Sequence, residues 1–357
     1  MSRYKKQQQG ITLIELMIAV AISATLLGGL IEVYLGSKQS YNLVEESSRL
    51  QENGRFALDT MTREIRSADF WGCLRKPDDT NLVNNLNMAD AQYDAAQHDF
   101  GEAITGFDNQ RLDGVASNSD SISFGGAAGG DINVSSNPGQ GAGESADANN
   151  GLAQYDIVII SDCSNGDIFQ ITNANPDTSG SIVHNTGSVG EGNGPGNSNS
   201  SPDCNVANKH CLSKSYTDAK IYGVSRRGFD IRPGANGNNA LFQINDSGDA
   251  TEIIENVENM QILYGEDTDA DDDIFNVPNQ YVNATDIGYV DNANPGNIEN
   301  AVTVRVALLL RGERNLLPAT TTQTHQLLDT TITTTDRNIY KIFSTTITIR
   351  NRALIDS

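Results

Sequence analysis

The sequence predicts an α+β protein in which one long N-terminal helix packs on a mainly antiparallel β-sheet. Three observations lead to this fold class. An unbroken helical pattern runs from about residue 11 to about residue 68. Five later segments have the β-branched or alternating character of strands. Between the strands lie long stretches rich in Gly, Asn, Ser and Asp, which predict surface loops.

The N-terminus divides into a basic leader and an apolar run. Residues 1–10 contain three basic residues and no acid, whereas residues 11–35 contain only two charges, Glu15 and Glu32. A helix of this length at about 1.5 Å per residue spans roughly 37 Å, which is enough to cross a hydrocarbon core of about 30 Å. The leader charge predicts a cytoplasmic N-terminus. No A-x-A site follows the run, so we expect a cut before it, at Gly10, that leaves the anchor on the mature chain.

Glu15 is a carboxylate inside the apolar run, where a charge costs about 2.5–3.5 kcal/mol unless it is paired. Cleavage after Gly10 would create an α-amine on Ile11, four residues before Glu15 and on the same helix face. That amine could belong to the same chain or to a neighbour, in which case the charge pair would specify register between subunits. An uncleaved anchor with Glu15 at the membrane interface is the alternative.

The helical pattern continues through residues 36–68 with an apolar stripe that should pack on the globular part. The predicted stripe consists of Leu43, Leu50, Phe56, Leu58, Met61 and Ile65. The glycines at positions 28, 29 and 54 lower helix propensity by about 1 kcal/mol each. They indicate either bending or close packing, or they are simply tolerated.

Residues 69–357 are predicted to form one globular domain outside the membrane. Strands are predicted at residues 155–160, 219–224, 240–244, 301–310 and 339–349. A short helix is predicted at residues 253–260, and it leads into the sequence Gln-Ile-Leu-Tyr at residues 261–264. The stretches 125–150 and 173–202 are predicted to be long loops.

The chain carries 24 basic and 46 acidic residues, a net charge of −22. So acidic a chain is not expected to bind nucleic acid directly, because phosphate neutralisation needs basic surface. Four cysteines in an exported domain suggest disulfides. Cys204 and Cys211 are close enough to close a small loop, and Cys73 and Cys163 would then join the helix end to the sheet, although sequence alone leaves three pairings open.

An acidic cluster at residues 266–273 is the one candidate for a cofactor. Asp267, Asp269 and Asp271 alternate as the first ligands of a calcium loop do. The EF-hand glycine and the final glutamate are missing, so a different calcium loop and a solvated acidic turn both remain open. No nucleophile or zinc-protease signature occurs in the sequence, which favours a structural protein over an enzyme.

Residues 10–16 (GITLIEL) resemble the class III signal of type IV pilins and type II secretion pseudopilins. The resemblance implies cleavage between Gly10 and Ile11 by a prepilin peptidase, followed by N-methylation of Ile11. It also implies that Glu15 neutralises an N-terminal amine during assembly. Ile11 stands where the family most often has phenylalanine.

Residues 257–269, 304–311 and 345–352 resemble the PilW-type minor pilins, which are related to the J-type minor pseudopilins of type II secretion. The resemblance implies a minor subunit that primes pilus assembly near the tip. Its implied partners are other minor pilins, the major pilin and a tip adhesin, with the bacterial inner membrane as the site of insertion. A J-type pseudopilin is the alternative. Twitching, adhesion and DNA uptake remain open as the purpose of the pilus.

Overall fold

The computed structural model describes residues 12–74, 81–94, 98, 100, 103–136, 139–141, 143–186, 190, 193–198, 210–266, 277–286 and 301–353. Within these residues the helices are α1 (Leu13–Arg66), α2 (Pro176–Ser179) and α3 (Arg350–Ala353). The strands, in chain order, are β1 (Leu82–Asn84), β2 (Ile104–Phe107), β3 (Ser121–Ser136), β4 (Glu144–Ala146), β5 (Ile157–Ser161), β6 (Gly166–Gln170), β7 (Ser181–Ile182), β8 (Lys220–Pro233), β9 (Asn239–Ile244), β10 (Ala250–Glu255), β11 (Val257–Glu266), β12 (Gln280–Val282), β13 (Ala301–Arg311), β14 (Thr321–Leu327), β15 (Thr330–Asp336) and β16 (Tyr340–Thr348).

The predicted α+β fold class is confirmed, and α1 dominates the molecule. The helix has 54 residues and, at about 1.5 Å per residue, is roughly 80 Å long. Only its second half is buried, on a face defined by Glu46, Leu50, Gly54, Ala57, Thr60, Met61 and Ile65. The spacing of three and four residues keeps these positions on one side of the helix. The prediction that Phe56 belongs to this stripe is wrong, because Phe56 is 52% exposed and lies on the opposite face.

A four-stranded antiparallel sheet in the order β12-β11-β13-β16 packs on α1. Its central strand β13 is buried on both faces, which explains why its sequence ends in a continuous apolar run. One face, including Val306 and Leu308, joins the core formed with the helix. The opposite face places Ala307 and Leu309 under Leu327, at the end of the β14–β15 hairpin.

The other large element is a ten-stranded sheet, counted over the described residues, with β8 at its centre. Strand β8 pairs with β3, β5 and β9, all antiparallel, while β1 and β6 form a parallel pair at one edge. Two of the hydrophobic cores on this sheet contain no α1 residue among the described positions. One of these cores begins with Trp71 and Leu74, just after the helix ends.

The predicted short helix at residues 253–260 is wrong. Strand β10 ends at Glu255 and β11 begins at Val257, with Asn256 between them in the left-handed region at φ 60°. Asparagine tolerates that conformation better than most residues, and here its Oδ1 also accepts a hydrogen bond from Asn238 Nδ2 at 2.9 Å. The strands pair with β9 and β13, so tertiary pairing overrides the local helical pattern.

The prediction that residues 125–150 form a loop is also wrong at its start, because strand β3 continues to Ser136. Its glycines allow another backbone to come close. A Cβ at Gly126 would lie 2.9 Å from the Phe70 carbonyl oxygen, and Asp69 N–H donates to the Gly125 carbonyl at 3.0 Å. The chain leaving α1 therefore lies directly on β3, which leaves no room for a side chain at Gly126.

Candidate anchor and assembly segment

The start of α1 is closed by a capping box. The Thr12 hydroxyl accepts a hydrogen bond from Glu15 N–H at 3.4 Å, and Glu15 Oε2 accepts from Thr12 N–H at 3.0 Å and from the Thr12 hydroxyl at 2.9 Å. This arrangement satisfies two helix N–H groups that would otherwise lack partners. The Thr12 contact was not predicted from the sequence, although the T-x-x-E spacing is a known helix-start signal. Gly10 and Ile11, the predicted cleavage and methylation positions, lie outside the described residues.

The first half of α1 makes an uncovered apolar surface. The large apolar side chains between Leu13 and Leu35 are each more than half exposed. Among the described residues this is the one helix whose length and composition would allow it to cross a membrane. A soluble domain would hide such a surface, so the segment needs lipid or neighbouring helices around it.

Gly54 allows the second half of α1 to sit close to the four-stranded sheet. A Cβ at this position would lie 2.5 Å from three carbon atoms of the Phe343 ring, which comes from β16. The glycine is therefore a packing requirement of this helix–sheet contact. Gly28 and Gly29 have no atom within 4 Å of an added Cβ and make no comparable contact.

Glu46 fastens the middle of α1 to the segment that follows β13. Its side chain is buried, and Oε1 accepts a hydrogen bond from Glu313 N–H at 2.7 Å and one from Arg49 Nη2 at 2.8 Å. Arg49 also pairs with the Glu313 carboxylate at 2.6 Å. A buried carboxylate with two hydrogen-bond donors around it is well satisfied, so this network links α1 to the segment that follows β13.

The end of α1 is held by the last described residues of the chain. Arg352 Nε donates to Asp69 Oδ2 at 2.6 Å, and Asn351 Nδ2 donates to the Ala68 carbonyl at 2.8 Å. Asp69 also accepts a hydrogen bond from Trp71 Nε1 at 2.7 Å. These bonds give a physical role to the RNR ending that resembles the PilW-type pilins.

A disulfide joins Cys73, just after the helix, to Cys163 in the turn after β5, across a separation of 90 residues. It ties the helix end to the ten-stranded sheet. Cys211 is also disulfide-bonded, and Cys204 lies outside the described residues.

The predicted calcium ligands Asp267, Asp269 and Asp271 lie outside the described residues as well. Over the parts of the chain that the structure describes, no cluster of three His, Cys, Asp or Glu side chains has a metal-binding arrangement.

Two family models match the chain. The prokaryotic N-terminal methylation motif matches residues 5–31, which include the second part of the basic leader and most of the exposed half of α1. The type IV pilus-assembly protein W model matches residues 229–351, about a third of the chain. That match runs from the end of β8 through β16 and includes the sheet that packs on α1. The chain has no significant match among curated proteins or solved structures.

An exposed apolar helix with a methylation motif, continuing under an antiparallel sheet, is the arrangement of a pilin-like α+β fold. The match over residues 229–351 narrows this likeness: that region is similar to the PilW family of type IV pilus proteins, whose members are minor pilins. Residues 69–228, which include the disulfide and much of the ten-stranded sheet, lie outside both matched regions.

Proposed function

We propose that the protein is a minor pilin of the PilW family that takes part in the complex that initiates pilus assembly and remains at the tip of the fibre. In this proposal a prepilin peptidase cuts between Gly10 and Ile11, and the exposed half of α1 stays in the inner membrane with its N-terminus on the cytoplasmic side. The observation that carries the proposal is the continuity of α1, whose uncovered apolar half runs without a break into a half that is packed under the PilW region.

The tip position is supported by the large part of the globular domain that does not pack on α1. Two hydrophobic cores of the ten-stranded sheet consist of residues that follow α1 in sequence, and they include no α1 residue among the described positions. With the apolar half of α1 in a membrane or a fibre core, this large part of the domain lies toward the other end of the helix. A subunit with such a cap is suited to end a fibre and to contact other minor pilins, the major pilin below and a tip adhesin.

Glu15 is assigned to docking rather than to processing. Thr12 holds its carboxylate at the first turn of α1, where two N-terminal donors already bind Oε2. A carboxylate fixed in this way can still accept a third donor, because an ionised carboxyl group has about four acceptor positions. The amine of Ile11 in a neighbouring subunit is the proposed donor.

Gene deletion with complementation tests the proposal against a role in type II secretion. Loss of surface pili with normal export of secreted proteins, restored by the wild-type gene, supports the minor pilin. Normal pili with failed export would instead assign the chain to a secretion system as a J-type pseudopilin. Detection of the protein by immunogold labelling at fibre ends tests the tip position, and labelling along the whole fibre would contradict it.

A further inference from the structure

Three titratable side chains far from α1 form a buried cluster that pilus assembly does not use. Glu144 in β4 is fully buried, and among the described residues neither of its carboxylate oxygens has a hydrogen-bond partner. Its Oε1 lies 3.9 Å from His184 Nε2. On the other side of that ring, His184 Nδ1 lies 2.8 Å from His210 Nδ1, and both imidazoles are buried.

The short contact between the two histidines limits where protons can be. One of the two Nδ1 atoms must carry the proton that the other accepts. When both imidazoles are neutral, one protonated on Nδ1 and the other on Nε2, an ionised Glu144 leaves a single carboxylate charge in the interior. A lone buried charge is costly, whereas one further proton, on Glu144 or on His184, makes the cluster neutral overall.

The surroundings also disfavour a negative charge on Glu144. The charged described group that acts on it is Asp167 in β6, which is itself buried and accepts hydrogen bonds from Asn85 Nδ2 at 2.7 Å and from the Ser213 hydroxyl at 2.6 Å. Tyr216 OH donates to the same carboxylate. Burial and the charge of Asp167 together raise the pKa of Glu144 to about 8.

The second histidine is unsuited to carry a positive charge. Burial, and next the neighbouring His184, lower the pKa of His210 to about 3. Its Nε2 has no hydrogen-bond partner in the part of the chain that the structure describes, so an imidazolium there would leave a donor unsatisfied. The surrounding core includes Phe169, whose ring centroid lies 5.1 Å from that of His184.

We propose that Glu144, His184 and His210 form a proton-retaining cluster that makes the stability of this part of the domain sensitive to the external pH. In the folded protein the cluster keeps one shared proton over a wide range of pH. Strands β4 and β7 and the segment around His210 meet at the cluster, so they are the elements that loosen when the proton count changes.

The sign of the pH dependence follows from counting protons. In the unfolded chain the three groups titrate at about 4.3 for the glutamate and about 6.5 for each histidine, so they hold about one proton in total near pH 6.5. Below that pH the unfolded state binds more protons than the folded cluster, and above it fewer. The cluster's contribution to stability is therefore greatest near pH 6.5. On either side of this maximum the folding constant decreases by up to tenfold per pH unit. The decrease extends to about pH 4.3 on the acidic side and to about pH 8 on the basic side.

Glu144→Gln isolates this contribution, because the amide is similar in shape but cannot bind the proton. Folding constants are measured by denaturant titration of the full chain in detergent micelles, with disulfides intact, between pH 5.5 and 7.5. The ratio of wild-type to Glu144→Gln folding constants should fall about 100-fold over this range, because the folded wild type holds one proton more than the folded variant while the two unfolded chains titrate alike. The exposed Glu52→Gln variant serves as the control, and its ratio should stay constant.

A constant ratio for Glu144→Gln would overturn the proposal, since it would show that Glu144 is already ionised in the folded protein. If the variant fails to fold, carbon NMR of the wild-type Glu144 carboxyl group gives the same information. A carboxyl signal that titrates near pH 8 supports the cluster, and one that titrates near pH 4 contradicts it. Zinc provides one more test. If added zinc stabilises the wild type but not the Glu144→Gln variant, the three side chains are metal ligands and the proposal is contradicted.

Discussion

Gly54→Ala tests whether the helix–sheet contact determines how the anchor is attached to the domain. The added Cβ would lie 2.5 Å from three ring carbons of Phe343, so the helix or the ring must move. Overpacking of this kind costs about 1–3 kcal/mol, whereas alanine improves helix propensity by about 1 kcal/mol. The same substitution at Gly36, which has no neighbour within 4 Å, provides the propensity gain alone. We therefore expect Gly54→Ala to be about 1–3 kcal/mol less stable than Gly36→Ala.

Denaturant titration of the full chain in detergent micelles measures the difference. A second comparison places both glycine variants in a Phe343→Ala background, where the ring is gone and the penalty at Gly54 should largely disappear. Equal stabilities for the two glycine variants in the wild-type background would refute the argument. So would a penalty at Gly54 that persists without the ring.

Three further predictions concern other contacts of the helix. Glu15→Ala should leave peptidase processing intact but reduce incorporation into pili, measured as the variant's share of sheared fibres against the wild type; equal incorporation would exclude the docking role. Glu46→Gln should lower the free energy of unfolding by about 1–3 kcal/mol, because a buried charge-assisted network is weakened, whereas the exposed Glu45→Gln should change it by less than about 1 kcal/mol. Replacing both Cys73 and Cys163 by serine should lower the free energy of unfolding by about 4 kcal/mol in denaturant titration under oxidising conditions, since the bridge closes a long loop. An unchanged midpoint would contradict this, because it would show that the unfolded variant is restrained without the bridge.

Much of the fold could be predicted because its signals are local. The helix was predicted within two residues of its observed ends at Leu13 and Arg66, since apolar residues at helical spacing extend over many turns. Strand β13 was equally clear. Its alternation fails toward the end because Leu309 is covered by the β14–β15 hairpin, which was not among the predicted elements.

The errors arise where distant parts of the chain decide the conformation. The residues around Asn256 look helical in isolation, but β9 and β13 provide pairing partners on both sides. The glycine-rich composition around Gly126 predicts a loop. The segment is instead part of a strand, and Gly126 is a glycine because the backbone of Phe70 packs against it. Phe56 fits the apolar spacing in sequence yet lies on the exposed face.

The candidate site shows the same division. Glu15 was predicted as an assembly residue from its place in the motif, but its partner Thr12 was not predicted, although both residues lie in one helical turn. The buried cluster could not have been foreseen, because Glu144, His184 and His210 come from separate segments and carry no spacing signal.

Mass spectrometry of the N-terminal peptide in sheared pili tests the central claim most directly. If the chain is a processed minor pilin, the pilus fraction should contain a peptide that begins with N-methylated Ile11, at a small fraction of the abundance of the major subunit. A chain in that fraction that still begins at Met1, or a processed chain found only in the membrane when pili are plentiful, would contradict the account.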